Sequence, residues 1–244
     1  MNSQIGSIHN RIFSVTIGLG VLTILLALPS VLFAQQSQPV FPPNSTPFGM
    51  TYGDWAAAWF QYAFSIPASN NPLPDTTGEN CNVGQSSGPV FFLAESCMIP
   101  GGQVTRSCTL PAGKALFVPI AVVECSTADS PPFQVNNGQA ARTCAASVAD
   151  GIDVGTLHLT IDGKKVPDLR RFRAQSPFYD FVLPAQDNIL GLTGVTLGAS
   201  GADGYWVMLS PLPRGAHVLH FGGDYVTGPM AGLKLDVTYN LNIE

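Results

Sequence analysis

The clearest pattern along the chain lies at its end. Leu233, Leu235, Val237, Tyr239, Leu241 and Ile243 alternate with Lys234, Asp236, Thr238, Asn240, Asn242 and Glu244. Unbroken period-two alternation predicts a half-buried strand, and a one-residue slip would bury its charges. Leu157, Leu159 and Ile161 alternate with Thr156, His158 and Thr160, and Asp162-Gly163 is a favoured two-residue hairpin turn. Further strands are predicted at Val90–Leu93, Val104–Leu110, Ala115–Val123, Phe178–Leu183, Tyr205–Leu209 and Ala216–Phe221, with Gly/Pro turns between many of them.

Two stretches break this rhythm. Trp55 to Phe64 holds neither Gly nor Pro, and Tyr52, Trp55, Trp59 and Tyr62 fall on one helical face. Thr51 and Asp54 predict its capping box, and Ile66-Pro67 its end. Gln139 to Asp150 is Ala-rich and predicts a second short helix. Strands do not alternate with helices as in a parallel α/β sheet. The expected fold is therefore mainly β, an antiparallel sandwich or jelly roll with one or two helices in its N-terminal half.

The N-terminus has a different pattern. Residues 12–34 carry no charged side chain, Arg11 precedes them, and Pro29 interrupts them near the end. That is the layout of a signal peptide over residues 1–34, with an uncleaved membrane anchor as the alternative. Residues 35–47, rich in Gln, Ser, Pro and Asn, read as a flexible lead-in, and residues 48–244 as a single β-rich domain. Either reading of the leader puts this domain outside the cytoplasm, secreted or in the cell envelope.

Composition narrows the class. Only 11% of the 244 residues are charged, against roughly a quarter in ordinary chains, and 45% are hydrophobic. The 16 acidic residues outnumber the 11 basic ones, which disfavours a nucleic-acid partner. The five cysteines show no zinc-site spacing. In an oxidising compartment they read as disulfides, Cys81 with Cys108 and Cys125 with Cys144. Cys97 is left free, because a tight hairpin at Pro100-Gly101-Gly102 sets Cys97 opposite Thr105 rather than Cys108.

Trp55-x-x-x-Trp59, Asp75-Thr76-Thr77-Gly78-x-x-Cys81, Gly88-Pro89-Val90-Phe91-Phe92-Leu93, Pro111-Ala112-Gly113-Lys114-Ala115-Leu116-Phe117, Asp203-Gly204-Tyr205-Trp206 and His217-x-x-His220-Phe221-Gly222-Gly223 stand along the chain. Together they resemble the motifs of a family of exported microbial proteins usually labelled hypothetical. The resemblance spans most of the chain after the leader. It implies export and one domain, and brings no activity with it.

Candidate chemistry is sparse. Trp55, Trp59 and Tyr62 form either the buried face of a helix lying on the sheet or a stacking surface for a ligand such as a sugar. Glu124 ends the apolar run from Leu116 to Val123 and needs a partner, with Arg106 or Lys114 as candidates. Glu124, Asp75 and His220, with Arg106, are the candidate catalytic groups. His217 and His220, three apart on a strand, point to opposite faces, so no metal site and no cofactor is expected. Asp168 to Arg173 reads as a solvated strand edge. Nucleophile-elbow and phosphate-loop signatures are absent. The leading expectation is an exported β-sandwich that binds a ligand, carbohydrate or another envelope component. The alternatives are an extracellular carbohydrate-active hydrolase or lyase and a structural cell-surface protein. Membrane contact is expected only through an uncleaved leader.

Overall fold

The computed structural model describes Met1 and residues 40–244, so the signal-peptide segment and the start of the lead-in lie outside the described residues. From Val40 on, the segment read as flexible is tied down. Val40 bridges to Leu209, the Phe41 N–H donates to the Met208 carbonyl at 2.9 Å, and Pro47 is buried. Its polar composition pointed to mobility, but two apolar residues anchor it on a strand.

Eleven elements follow: α1 (Tyr52–Ser65), β1 (Val90–Phe92), β2 (Gln103–Leu110), β3 (Ala115–Ser126), α2 (Gly138–Ala149), β4 (His158–Ile161), β5 (Lys164–Lys165), β6 (Tyr179–Val182), β7 (Leu197–Leu209), β8 (Gly215–Asp224) and β9 (Lys234–Ile243). They build a mainly β, sandwich-like domain of two sheets, ordered β1-β3-β7-β6 and β2-β9-β8-β4-β5. Most pairings are antiparallel as expected, but β1 with β3 and β2 with β9 are parallel. A parallel pair requires a crossover. Here the crossover from β1 to β3 is β2, a strand of the opposite sheet, so no βαβ pattern announces it.

The predicted strands stand close to their expected places, except that β7 begins at Leu197, well before the expected Tyr205. The β4–β5 turn at Asp162-Gly163 takes positive φ at both residues, 51° and 75°, as the hairpin geometry requires. The inward side chains of β9 are buried, with Leu235, Val237 and Tyr239 almost fully so, and Phe221 of β8 stacks on Tyr239. Residues 168–173 depart from expectation. Leu169–Phe172 is a 3-10 turn rather than a strand edge. Buried Leu169 and Phe172 pull it inward, while Arg173 reaches Asp203 at 2.9 Å and Asp150 at 2.7 Å.

The α1 helix begins at the expected capping box, the Thr51 hydroxyl accepting from the Asp54 N–H and the Asp54 carboxylate from the Thr51 N–H. It lies across the four-stranded sheet. Trp59 meets Trp206 of β7 edge to face at 5.6 Å, Trp206 stacks on Phe117 of β3, and Phe64 packs on Phe181 of β6. On the other face of that sheet, Gly223 of β8 comes close to Ala121 of β3. Cys81–Cys108 staples the long polar loop after α1 to β2, and Cys125–Cys144 staples α2 to β3; Cys97 is free. Two disulfides suggest an oxidising, extracytoplasmic environment. Among the described residues no helix is long and apolar enough to cross a membrane.

Candidate ligand pocket

Where α1, the end of β3 and five connecting segments meet, they leave a pocket of about 170 Å³. Its walls are mostly apolar: Phe60 and Phe64 from α1, Leu73, Val122 and Val123 from β3, Phe133, Ile189, Leu190, Met98 and Met230. Into these walls are set three carboxyl groups, Glu95, Glu124 and Asp129, and the thiol of Cys97. Among the described residues no basic side chain lines it.

Glu124 is the one residue of β3 that is not fully buried, and it opens onto the pocket beside Val122 and Val123. Its partner is not a cation. The Ser200 hydroxyl of β7 donates to its Oε2 at 2.5 Å, and its carboxyl is hydrogen-bonded to that of Asp129. Asp129 accepts from the Ser126 hydroxyl at 2.8 Å and the Ser126 hydroxyl in turn accepts from the Asp129 N–H. Burial, and then the neighbouring charge of Asp129, push the Glu124 carboxyl well above its usual range. Burial raises Asp129 as well, and its hydrogen bonds with Glu124 and Ser126 offset part of that. Two carboxyls so placed do not both ionise readily, so the pair holds on to a proton. Tyr179 of β6 is buried beside them, and burial followed by the charge of Glu124 raises the pKa of its hydroxyl far above the phenol value.

Glu95 follows the buried run Val90–Ala94 and is itself buried. Burial raises its pKa, while hydrogen bonds from Cys97 and the charge of Arg106 work against the rise. Cys97 is exposed as a residue, but its thiol turns toward Glu95; desolvation there, followed by the Glu95 charge, pushes the thiol well up. A thiol held protonated is a poor nucleophile.

The other sequence candidates are placed elsewhere. Arg106 is only 1% exposed and does not meet Glu124. Its guanidinium donates to the carbonyls of Leu73, Asp75, Ala94 and Glu95 and to the Tyr239 hydroxyl, at 2.7–3.1 Å. It therefore ties the loop before Cys81 to the segment after β1, a structural role. Lys114 is equally occupied, with the carbonyls of Ser86 and Gly88. Asp75 organises its own loop. Burial opposes its charge, yet the N–H groups of Asn80, Thr77 and Gly78 and the Thr77 hydroxyl hold its pKa below the usual value. His220 pairs with Asp236 on the five-stranded sheet and lines no wall of the pocket. Glu124, Asp75, Arg106 and His220 thus do not form one site.

The aromatic stripe is the buried face of α1. Trp55, Trp59 and Tyr62 are buried, and their polar tips donate to the carbonyls of Pro47, Leu93 and Val83 at 2.7–3.1 Å. Large rings with satisfied tips gain more from burial against a sheet than from waiting in water. Sequence reasoning missed Glu95 and Asp129. The signal for Glu95 was the one used for Glu124, a carboxylate at the end of an apolar run; nothing local marked Asp129, whose significance comes from Glu124 alone.

No family model, no curated protein and no solved structure matches the chain. Fold and pocket together define a disulfide-stapled, β-sandwich-like domain with an acidic group set in an apolar recess.

Proposed function

We propose that this is an extracytoplasmic binding protein for a small amphipathic molecule, with an apolar, ring-sized body and an amine or hydroxyl head. The observation that carries the reading is the Glu124–Asp129 pair inside apolar walls. An apolar cavity of roughly 150 Å³ accepts a benzene-sized body. A carboxyl pair lacking a nearby cation favours a cationic or hydrogen-bond-donating head and repels an anion. A sugar is a poorer match, since the rings expected to stack on it lie in the core. The apolar leader segment behind Arg11 and the two disulfides support export.

The test is a titration of benzylamine, benzyl alcohol and benzoate, read on the methyl resonances of Met98 and Met230. Benzylamine is expected to bind best and benzoate worst, and Leu190→Trp, which fills the recess, to abolish the shifts. Equal or better binding of benzoate, or shifts that persist in Leu190→Trp, would overturn the reading.

A further inference from the structure

A second group of polar side chains lies on the five-stranded sheet, and strand register alone brings it together. Gly222 of β8 pairs with His158 of β4 on one side and with Asp236 of β9 on the other. His220 stands two residues along β8, so it projects from the same face. The three side chains converge around a position that has none. A Cβ at Gly222 would sit 1.8 Å from the Leu235 carbonyl oxygen and 3.0 Å from His158 Cε1, so only glycine leaves this floor open.

The donor atoms are close. One ring nitrogen each from His158 and His220 and one carboxylate oxygen of Asp236 all lie within 4.8 Å of one another. The two imidazole centroids are 4.6 Å apart, and His220 Nε2 is 2.5 Å from Asp236 Oδ1. Ligand atoms around a tetrahedral ion with bonds near 2.0–2.1 Å stand about 3.3 Å apart, within reach of small side-chain rotations.

The surroundings prepare the ligands. His158 Nδ1 faces the Thr156 carbonyl at 3.1 Å, which calls for the proton on Nδ1 and leaves a lone pair on Nε2. That Nε2 is buried and has no hydrogen-bond partner among the described residues. A buried, unpartnered acceptor is costly unless something occupies it. Gln103 of β2 donates to the second Asp236 oxygen at 3.2 Å and fixes the carboxylate from the far side.

We propose that His158, His220 and Asp236 bind a divalent transition-metal ion of the zinc class. Two imidazoles and one carboxylate suit such an ion and not calcium or magnesium, which prefer oxygen alone. The three side chains are half-buried on an outward sheet face, so the remaining coordination positions fall to water. Motif spacing gives no hint of the site, because each ligand comes from a different strand.

The test uses the untagged chain, stripped with a chelator and titrated with zinc chloride by calorimetry while the imidazole proton resonances are followed. One ion per chain is expected, with shifts at His158 and His220 and none at His217. His158→Ala and His220→Ala should each weaken zinc binding by at least about tenfold, and Gln103→Ala by a smaller factor. His217→Ala, a control three residues from His220, should leave it unchanged. Circular dichroism of each variant checks that it folds. Absence of zinc binding, binding indifferent to both substitutions, or shifts confined to His217 would overturn the proposal.

Discussion

The two sheets solve the placement of polar groups in opposite ways. The four-stranded sheet is covered on one face by α1 and on the other by its partner sheet, and β3 is buried along nearly its whole length. A polar side chain on it has nowhere to go, so Glu124 must find Ser200 and Asp129 inside. The five-stranded sheet has one covered face. Its strands β2 and β9 alternate buried and outward residues, and histidines, acids and threonines gather outside by register. The covered sheet thus forces its few polar groups into buried pairs, whereas the open one arrays many toward solvent.

The largest expected effect tests this contrast directly. Trp59, 1% exposed between α1 and Trp206, should cost about 3–5 kcal/mol of unfolding free energy when changed to alanine. Val218, 45% exposed on the outer face of β8, should cost less than about 0.5 kcal/mol when changed in the same way. Urea denaturation of both variants gives the comparison. Similar losses would mean that the outward face is covered by something else.

A smaller effect belongs to Glu124→Gln. The native pKa of Glu124 is raised, so between the unfolded value, about 4.3, and the native one the folded chain binds the extra proton. Stability then falls as pH rises through that interval, by up to about 1.4 kcal/mol per pH unit for one proton. Glutamine cannot ionise and still offers an acceptor to Ser200 and a donor to Asp129. The variant should match the wild type near pH 4 and exceed it increasingly toward neutrality. Parallel stability curves would show that Glu124 is not held protonated.

The same contrast explains what was legible in the residues. One-sided strands announce themselves, because alternation is a local property: β9, β4 and the Asp162-Gly163 turn stand where the pattern put them. The capping box of α1 followed from short-range geometry, and both expected disulfides are formed. Sheet order did not. The parallel pairings arise because the chain crosses between layers through β2, and nothing local records which layer a strand joins. The candidate sites were harder still. Glu124 reads from the sequence as a carboxylate needing a partner, with Arg106 as a candidate, but Arg106 found carbonyls and Glu124 another acid. His158, His220 and Asp236 meet only once three strands have been set in register.

The smallest effect lies at the rim of the five-stranded sheet, where His217 Nδ1 meets Asp162 Oδ2 at 2.8 Å. Partial burial opposes the charge on each, yet the mutual hydrogen bond, with help from the Val218 N–H and the Pro213 carbonyl, lowers the Asp162 pKa and raises that of His217. The Asp162 contribution is present above its unfolded pKa, about 3.9, and is lost as pH falls through the native value. The His217 contribution is complete below about 6.5 and is lost as pH rises through its native value. The pair therefore stabilises most between about pH 4 and 6.5. Asp162→Asn isolates this charge, because asparagine keeps the positive-φ turn and can still accept from the Val218 N–H. The wild type should exceed the variant by less than about 1 kcal/mol near pH 5, with the gap closing above pH 8 and in high salt. A gap independent of pH would assign the contact to turn geometry, and would break the view that the open sheet's polar pairs act as solvent-screened surface charges.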